Sequence, residues 1–375
     1  MHETDAEERK EQQRIGDWMF IFIDIIYLGM MIKCSGIVEN CAISWHTIMF
    51  CVTMLTTLYI TRMHLDDYVN RFYENDVFHR LLFFIYILCF MVMTLNVNSI
   101  ETNGEPSDAA CMADLYGIAF GLAFFATRVV LLMLQLSVVF TDASFQALRQ
   151  FGPAIISFAM SAFVVFVVVL VEYKDPEDVP PGHRMYTYMA ACSIEMVAHA
   201  WYHCSLAFGT YLHKIEASCP DGCHIVGREV YPLDTDISAD RLGAFMMCIF
   251  GVVLITNLTR YYNVGHAAET YPYSIGSMIL SFYFALIYYE VSKVGEGDHA
   301  LTKSTLSQFL YVWMHLLAAM SSFFTNAAIG AMYEQDVPQP TYVYTEIEQE
   351  ADDEAIKETE AHKPITIIVC ASYSR

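Results

Sequence analysis

Residues 152–173 read GPAIISFAMSAFVVFVVVLVEY, and between Pro153 and Val171 no side chain carries a charge. A helix rises about 1.5 Å per residue, so a run of this length reaches across the ~30 Å hydrocarbon core of a bilayer. It has no polar face to turn toward water, and it is about twice as long as the ~9–11 residues of a barrel strand. In lipid every backbone donor and acceptor must be satisfied within the spanning element, which a helix does. The stretch is therefore read as a membrane-spanning helix.

Similar runs lie on both sides of it. The nine candidate spans cover about 16–36, 44–63, 79–98, 115–140, 152–173, 185–212, 240–259, 272–292 and 306–333. The predicted fold is all-α, a polytopic transmembrane helix bundle of about nine spans, with eight to ten as the range. The connections are short. One bundle over 16–333 is expected between a charged N-terminal tail, 1–15, and an acidic C-terminal tail, 334–375, predicted to be disordered.

Composition agrees. Of 375 residues 55% are hydrophobic and 17% charged, where a soluble chain carries roughly a quarter charged. The net charge of −22 sits largely in the two tails and in the loop ETNGEPSDAACMAD, 101–114. Such acidity excludes a nucleic-acid partner, which needs a basic face, and a polybasic lipid-binding segment. The expected partner is the lipid bilayer. A second copy of the chain is a candidate for self-association, and a small ion or small molecule a candidate substrate. The first apolar run is too long for a cleavable signal core. Apart from Arg128 and Arg241, Lys and Arg side chains number eleven toward the N-tail side and seven toward the other, which predicts a cytoplasmic N-terminus in the cell membrane. Most of the eleven cysteines fall in apolar runs, where Cys behaves as a small hydrophobe. Cys219 and Cys223 alone look paired, and a disulfide, half a metal site and a local structural role all stay open.

A charge in mid-membrane costs at least ~2.5–3.5 kcal/mol and calls for a partner. Asp24 lies in span 1, Arg128 in span 4, Glu195, His199 and His203 in span 6, and His315 in span 9; Asp240 and Arg241 open span 7 and Glu290 closes span 8. Arg128 is read as the one cation deep in a span. By depth Glu195 is its best partner and Asp24 the second. Such a pair can serve transport or simply hold two helices in register.

In ACSIEMVAHAWYHC, 191–204, the spacing of four puts Glu195, His199 and His203 on one helical stripe. The first and third are ~12 Å apart along the axis, beyond the reach of one ion with ~2 Å bonds. No residue is assigned as a metal ligand or catalytic group, no cofactor is expected, and a polar relay fits the stripe better. Histidine titrates near neutral pH, as a relay requires. The segment RMHLDDYVNRFYENDVFHRLLFF, 62–84, is read as a rim loop with aromatic anchors. Its Asn70, Arg71, Asp76 and Arg80, with Asp240 and Arg241, form a rim polar set.

Taken in order, these segments resemble the low-temperature-requirement protein A (LtrA) family. FIDIIYLGMM carries Asp24 where the family's first helix has an aspartate. Trp45 and DYVNRFYENDVFHRLLFFIYILCF resemble its second helix and rim segment, FFATRVVLL its fourth-helix Arg, Glu195 its sixth-helix carboxylate, and ISADRLGAFMMCIFGVV its acid–Arg segment with Gly243 and Gly251. SFYFALIYYE and YVWMHLL resemble the last two segments. The resemblance spans about 16–333. Phe20, Ile237 and Val252 stand where the family pattern has Glu, His and Glu. It implies a polytopic membrane protein linked to growth at low temperature in some bacteria, with no agreed biochemical activity. Three readings follow from the residues: a transporter or channel-like protein, a non-transporting structural or stress-response protein, and a membrane-embedded hydrolase holding a metal with Glu195, His199 and His315.

Overall fold

In the described residues of the computed structural model (3–40, 45–72, 76–97, 109–142, 145–174, 183–216, 235–262, 267–292 and 304–336) every regular element is a helix. In chain order they are α1 (Glu3–Asn40), α2 (Trp45–Arg71), α3 (Val77–Leu95), α4 (Ala109–Asp142), α5 (Phe145–Lys174), α6 (His183–Glu216), α7 (Thr235–Tyr262), α8 (Ala267–Ser292) and α9 (Thr305–Asp336). Among the described residues seven helices are long and apolar enough to cross a membrane. The other two are α6, diluted by its Glu and His stripe, and α8, whose apolar part is Ile275–Tyr289. Cys219, Cys223, the chain from 337 onward and the side chain of Glu290 lie outside the described residues.

The opening stretch shows why the helices sort as they do. On α5, Ile156, Met160, Phe163, Val167, Leu170 and Val171 are exposed, at helical spacing, while Phe158, Ser161, Ala162, Val165 and Val169 are buried on the other side. Exposed apolar stripes of this kind recur on α3 (Leu81, Phe84, Leu88, Leu95) and α8 (Ile275, Ile279, Phe282, Leu286). In water they would drive aggregation. In a bilayer they face lipid. The chain is an integral membrane protein.

Helices adjacent in sequence pack together through α3–α4, α4–α5, α5–α6 and α7–α8, and α2 also touches α1, α4, α6 and α7. Among the spans α2 is the most enclosed. Lipid supplies no hydrophobic drive between helices, so close packing and interhelical hydrogen bonds hold them. Gly121 allows α4 to approach α5 and α6; a Cβ there would lie 2.4 Å from Val169 Cγ2 and 3.1 Å from the Tyr188 hydroxyl. Three buried tyrosines donate to main-chain carbonyls of other helices: Tyr27 to Leu55 at 3.3 Å, Tyr59 to Val312 at 2.5 Å and Tyr86 to Thr61 at 2.6 Å.

One expectation needs correction. The second span does not end near residue 63 with a rim loop after it: α2 continues unbroken to Arg71. Arg62, His64 and Asp66 are buried, as is Tyr68. The charged segment is enclosed by other helices, so the rise in polarity marks protein around the helix and not the edge of the lipid.

Candidate functional site

The polar residues of α2 point two ways. Arg62 and Asp66, four apart, face α1 and α7. Arg62 Nε donates to Asp24 Oδ1 at 2.5 Å, and its Nη2 donates to Asp24 Oδ2 at 3.4 Å and to the Arg241 carbonyl at 3.2 Å. Arg241 Nη1 donates to Asp66 Oδ1 at 2.9 Å. The Arg62 guanidinium lies 4.5 Å from the Phe245 ring centroid and that of Arg241 4.4 Å from Phe20. Two arginines and two aspartates from three helices thus balance in charge. A cavity of about 220 Å³ lies beside them, lined by Phe20, Asp24, Asp240 and Arg241 among others.

Arg128 is therefore not the sole deep cation, and Asp24 is the partner of Arg62. Arg241 is buried, while Asp240 beside it is exposed. Sequence reading placed Arg62 and Arg241 at the rim because each sits near the end of an apolar run.

The other face of α2 meets α4, α5 and α6. Here Arg128 and Glu195 form a bidentate pair, Nε to Oε1 at 2.7 Å and Nη2 to Oε2 at 2.8 Å, with both side chains fully buried. Arg128 Nη1 also donates to Thr61 Oγ1 at 2.7 Å and Thr127 Oγ1 at 3.1 Å, and the guanidinium lies 3.9 Å from the Phe124 ring centroid. Glu195 Oε1 accepts from Ser161 Oγ at 2.5 Å, and His64 Nε2 lies 3.3 Å from Oε2. Paired planar groups of this type are the strong end of hydrogen bonding. The pairing expected from depth alone is present, with Thr61, Ser161 and His64 as added partners.

Beside this pair is a cavity of about 60 Å³, lined by residues of α2, α4, α5 and α6 that include His64, Asp67, Arg71, Gln135, Glu195 and His199. It runs from Arg71 and Phe151, near helix ends, inward to Glu195. Three buried polar atoms on its wall, His64 Nε2, Gln135 Oε1 and His199 Nε2, have no hydrogen-bond partner, His64 Nε2 making only its 3.3 Å approach to Glu195 Oε2. One ligand-type atom each from His64, Asp67 and His199 lies within 4.8 Å of the other two. This complement to the α6 stripe comes from the segment taken as a rim loop, so His64 and Asp67 were missed as site residues. Their i, i+3 spacing on a helix, matched in depth to His199, was the signal available.

The remaining candidates fall elsewhere. His203 is buried next to His199, with ring centroids 4.5 Å apart. His315 is not drawn to Glu195 and His199: its Nε2 lies 2.9 Å from the Tyr288 hydroxyl and its Nδ1 2.7 Å from the Tyr311 carbonyl. Asn70 and Arg71 are half-buried at the end of α2, and Arg80 is exposed. Asp76 caps the N-terminus of α3, accepting from the His79 backbone N–H at 2.8 Å, and that bond holds its carboxyl below the usual carboxylate range.

A family model described as Bacterial low temperature requirement A protein (LtrA) matches residues 38–355. The match starts in the last turn of α1, after Asp24, and includes α2 through α9. No curated protein and no solved structure matches the chain.

Proposed function

Starting from a chain that belongs to the LtrA family, we propose that it moves protons or a small ion across the membrane along the α2–α4–α5–α6 cavity. The supporting observation is a cavity edged by unpartnered buried polar atoms that reaches a mid-depth ion pair. Its volume of about 60 Å³ is well below the ~300–1,000 Å³ of pockets for drug-sized ligands, which suits an ion or a short water file. One turn away on α2, Thr57 Oγ1 lies 3.2 Å from Cys192 Sγ, and the Tyr86 hydroxyl donates to the Thr61 carbonyl. Passage would require the Arg128–Glu195 pair to loosen, with Ser161 and Thr61 as exchange partners. Removing buried Arg62 from the eleven N-side cations leaves ten against seven, which still favours a cytoplasmic N-terminus and a cytoplasmic mouth for the cavity.

The test is flux into liposomes carrying purified protein and an internal pH-sensitive dye, under pH and voltage gradients. Flux above empty liposomes, lost in folded Glu195→Gln and Arg128→Ala proteins, is the expected result. Equal dye response with and without protein under both gradients overturns it.

A structural role is the second reading. It is favoured by the full pairing of Glu195, each of whose oxygens has two polar neighbours. No flux, together with destabilisation by Arg128→Ala that Glu195→Ala relieves, would decide for it. The hydrolase grouping with His315 has no such support, since both nitrogens of that ring have other partners.

A further inference from the structure

We infer that His64, Asp67 and His199 form a binding site for a divalent first-row transition ion, reached from the cavity between α2, α4, α5 and α6. The site stands on its ligands alone and does not require the protein to conduct.

Two imidazoles and one carboxylate make the donor set. Imidazole selects zinc, cobalt, nickel, copper and iron over magnesium and calcium, which prefer all-oxygen shells. Metal–ligand bonds of ~2.0–2.2 Å put neighbouring ligand atoms roughly 3.3 Å apart around a tetrahedral ion. The present spread of up to 4.8 Å is wider than this, so binding must draw the three ligand atoms together. Asp67 follows His64 by three residues and so shares its helix face. His199 reaches the same point from α6.

His199 Nε2 supplies independent support. It is buried and has no hydrogen-bond partner, an arrangement that is costly unless something fills it. Gln135 Oε1 is buried and unpartnered on the same cavity wall and can accept from a water held on the ion. Metal-bound histidines usually have a carboxylate behind them that fixes the ring. Glu195 Oε2, 3.3 Å from His64 Nε2, is placed to take that role.

Charge sets the strength of the site. Asp67, Arg71 and Glu195 all line the cavity, with Arg128 paired behind Glu195. These four groups sum to zero, so a dication enters with its charge uncompensated. The site is therefore exchangeable and of moderate affinity, unlike a closed structural zinc centre. Three protein ligands also leave coordination open to water.

The experiment uses tag-free full-length protein in detergent, stripped with chelator, then titrated with Zn²⁺ by calorimetry and checked by elemental analysis after dialysis. The expected result is one Zn²⁺ per chain that millimolar Mg²⁺ does not displace. Affinity falls at least tenfold in His64→Gln, Asp67→Asn and His199→Gln, and is unchanged in His183→Gln, which removes a His–carboxylate contact elsewhere. Each variant is compared at equal metal-free melting temperature. Because a variant can fail to fold, Cu²⁺ is also bound to the unmodified protein and its nitrogen ligands counted by pulsed EPR. Two imidazoles support the site. One or none, or undiminished Zn²⁺ binding in the folded variants, overturns it.

Discussion

At the scale of single residues, the Arg128–Glu195 pair carries the clearest energetic consequence. Two charges with no exposure are tolerable only together, and removing one leaves the other stranded. Arg128→Ala is expected to cost about 3–5 kcal/mol, read as a lowered melting temperature in detergent. A double variant with Glu195→Ala recovers most of the loss. If the double variant melts no higher than the single one, the pair does not supply the stability assigned to it. This pair was legible in the sequence because an Arg in mid-span demands a carboxylate at its own depth. The Asp24–Arg62 and Asp66–Arg241 pairs were not. Hydropathy ends a span wherever charges gather, and it cannot tell charges meeting headgroups from charges meeting other charges.

At the scale of helices, close approach decides which glycines matter. Gly121 faces Val169 and Tyr188, where a Cβ has no room. Gly121→Val is expected to destabilise by about 1–3 kcal/mol as α4 is pushed from α5. Apart from its own stretch of helix backbone, Gly251 has no heavy atom within 4 Å of its Cβ position, and Gly251→Ala should be neutral or stabilising by up to ~1 kcal/mol. Thermal unfolding of both proteins checks the contrast, and equal effects would refute it. Gly251 had been singled out from the sequence and Gly121 had not. A motif records which residue is present, while the need for glycine depends on the helix that packs against it. Helix positions were legible from the apolar runs, as in α5. The true end of α2 was not, because its neighbours come from distant parts of the chain.

At the scale of the whole molecule, the outward faces of the described spanning helices are apolar and the interior is studded with paired charges, the reverse of a soluble protein. Phe163 is exposed on the lipid side of α5 and Val165 buried two residues on. Phe163→Asp should impair insertion by ~2.5–3.5 kcal/mol at mid-membrane depth, measured as the membrane-inserted fraction during synthesis with microsomes or vesicles. Unchanged insertion would mean that this face does not contact lipid. The family and the all-helical bundle were legible because order and spacing of weak segments survive without side-chain contacts. The cavity was not, since it exists only where four helices converge.

One helix, α2, serves both polar clusters: Arg62 and Asp66 bind toward α1 and α7, while Thr61 and His64 touch the Arg128–Glu195 pair. A helix turns as a rigid rod, and adjacent residues 61 and 62 cannot be displaced separately. The two clusters are consequently linked in the thermodynamic sense. Whatever rotates α2 at one side, whether a proton on Asp24 or an occupant beside His64, shifts the equilibrium at the other by the same free energy, and the effect runs equally in reverse.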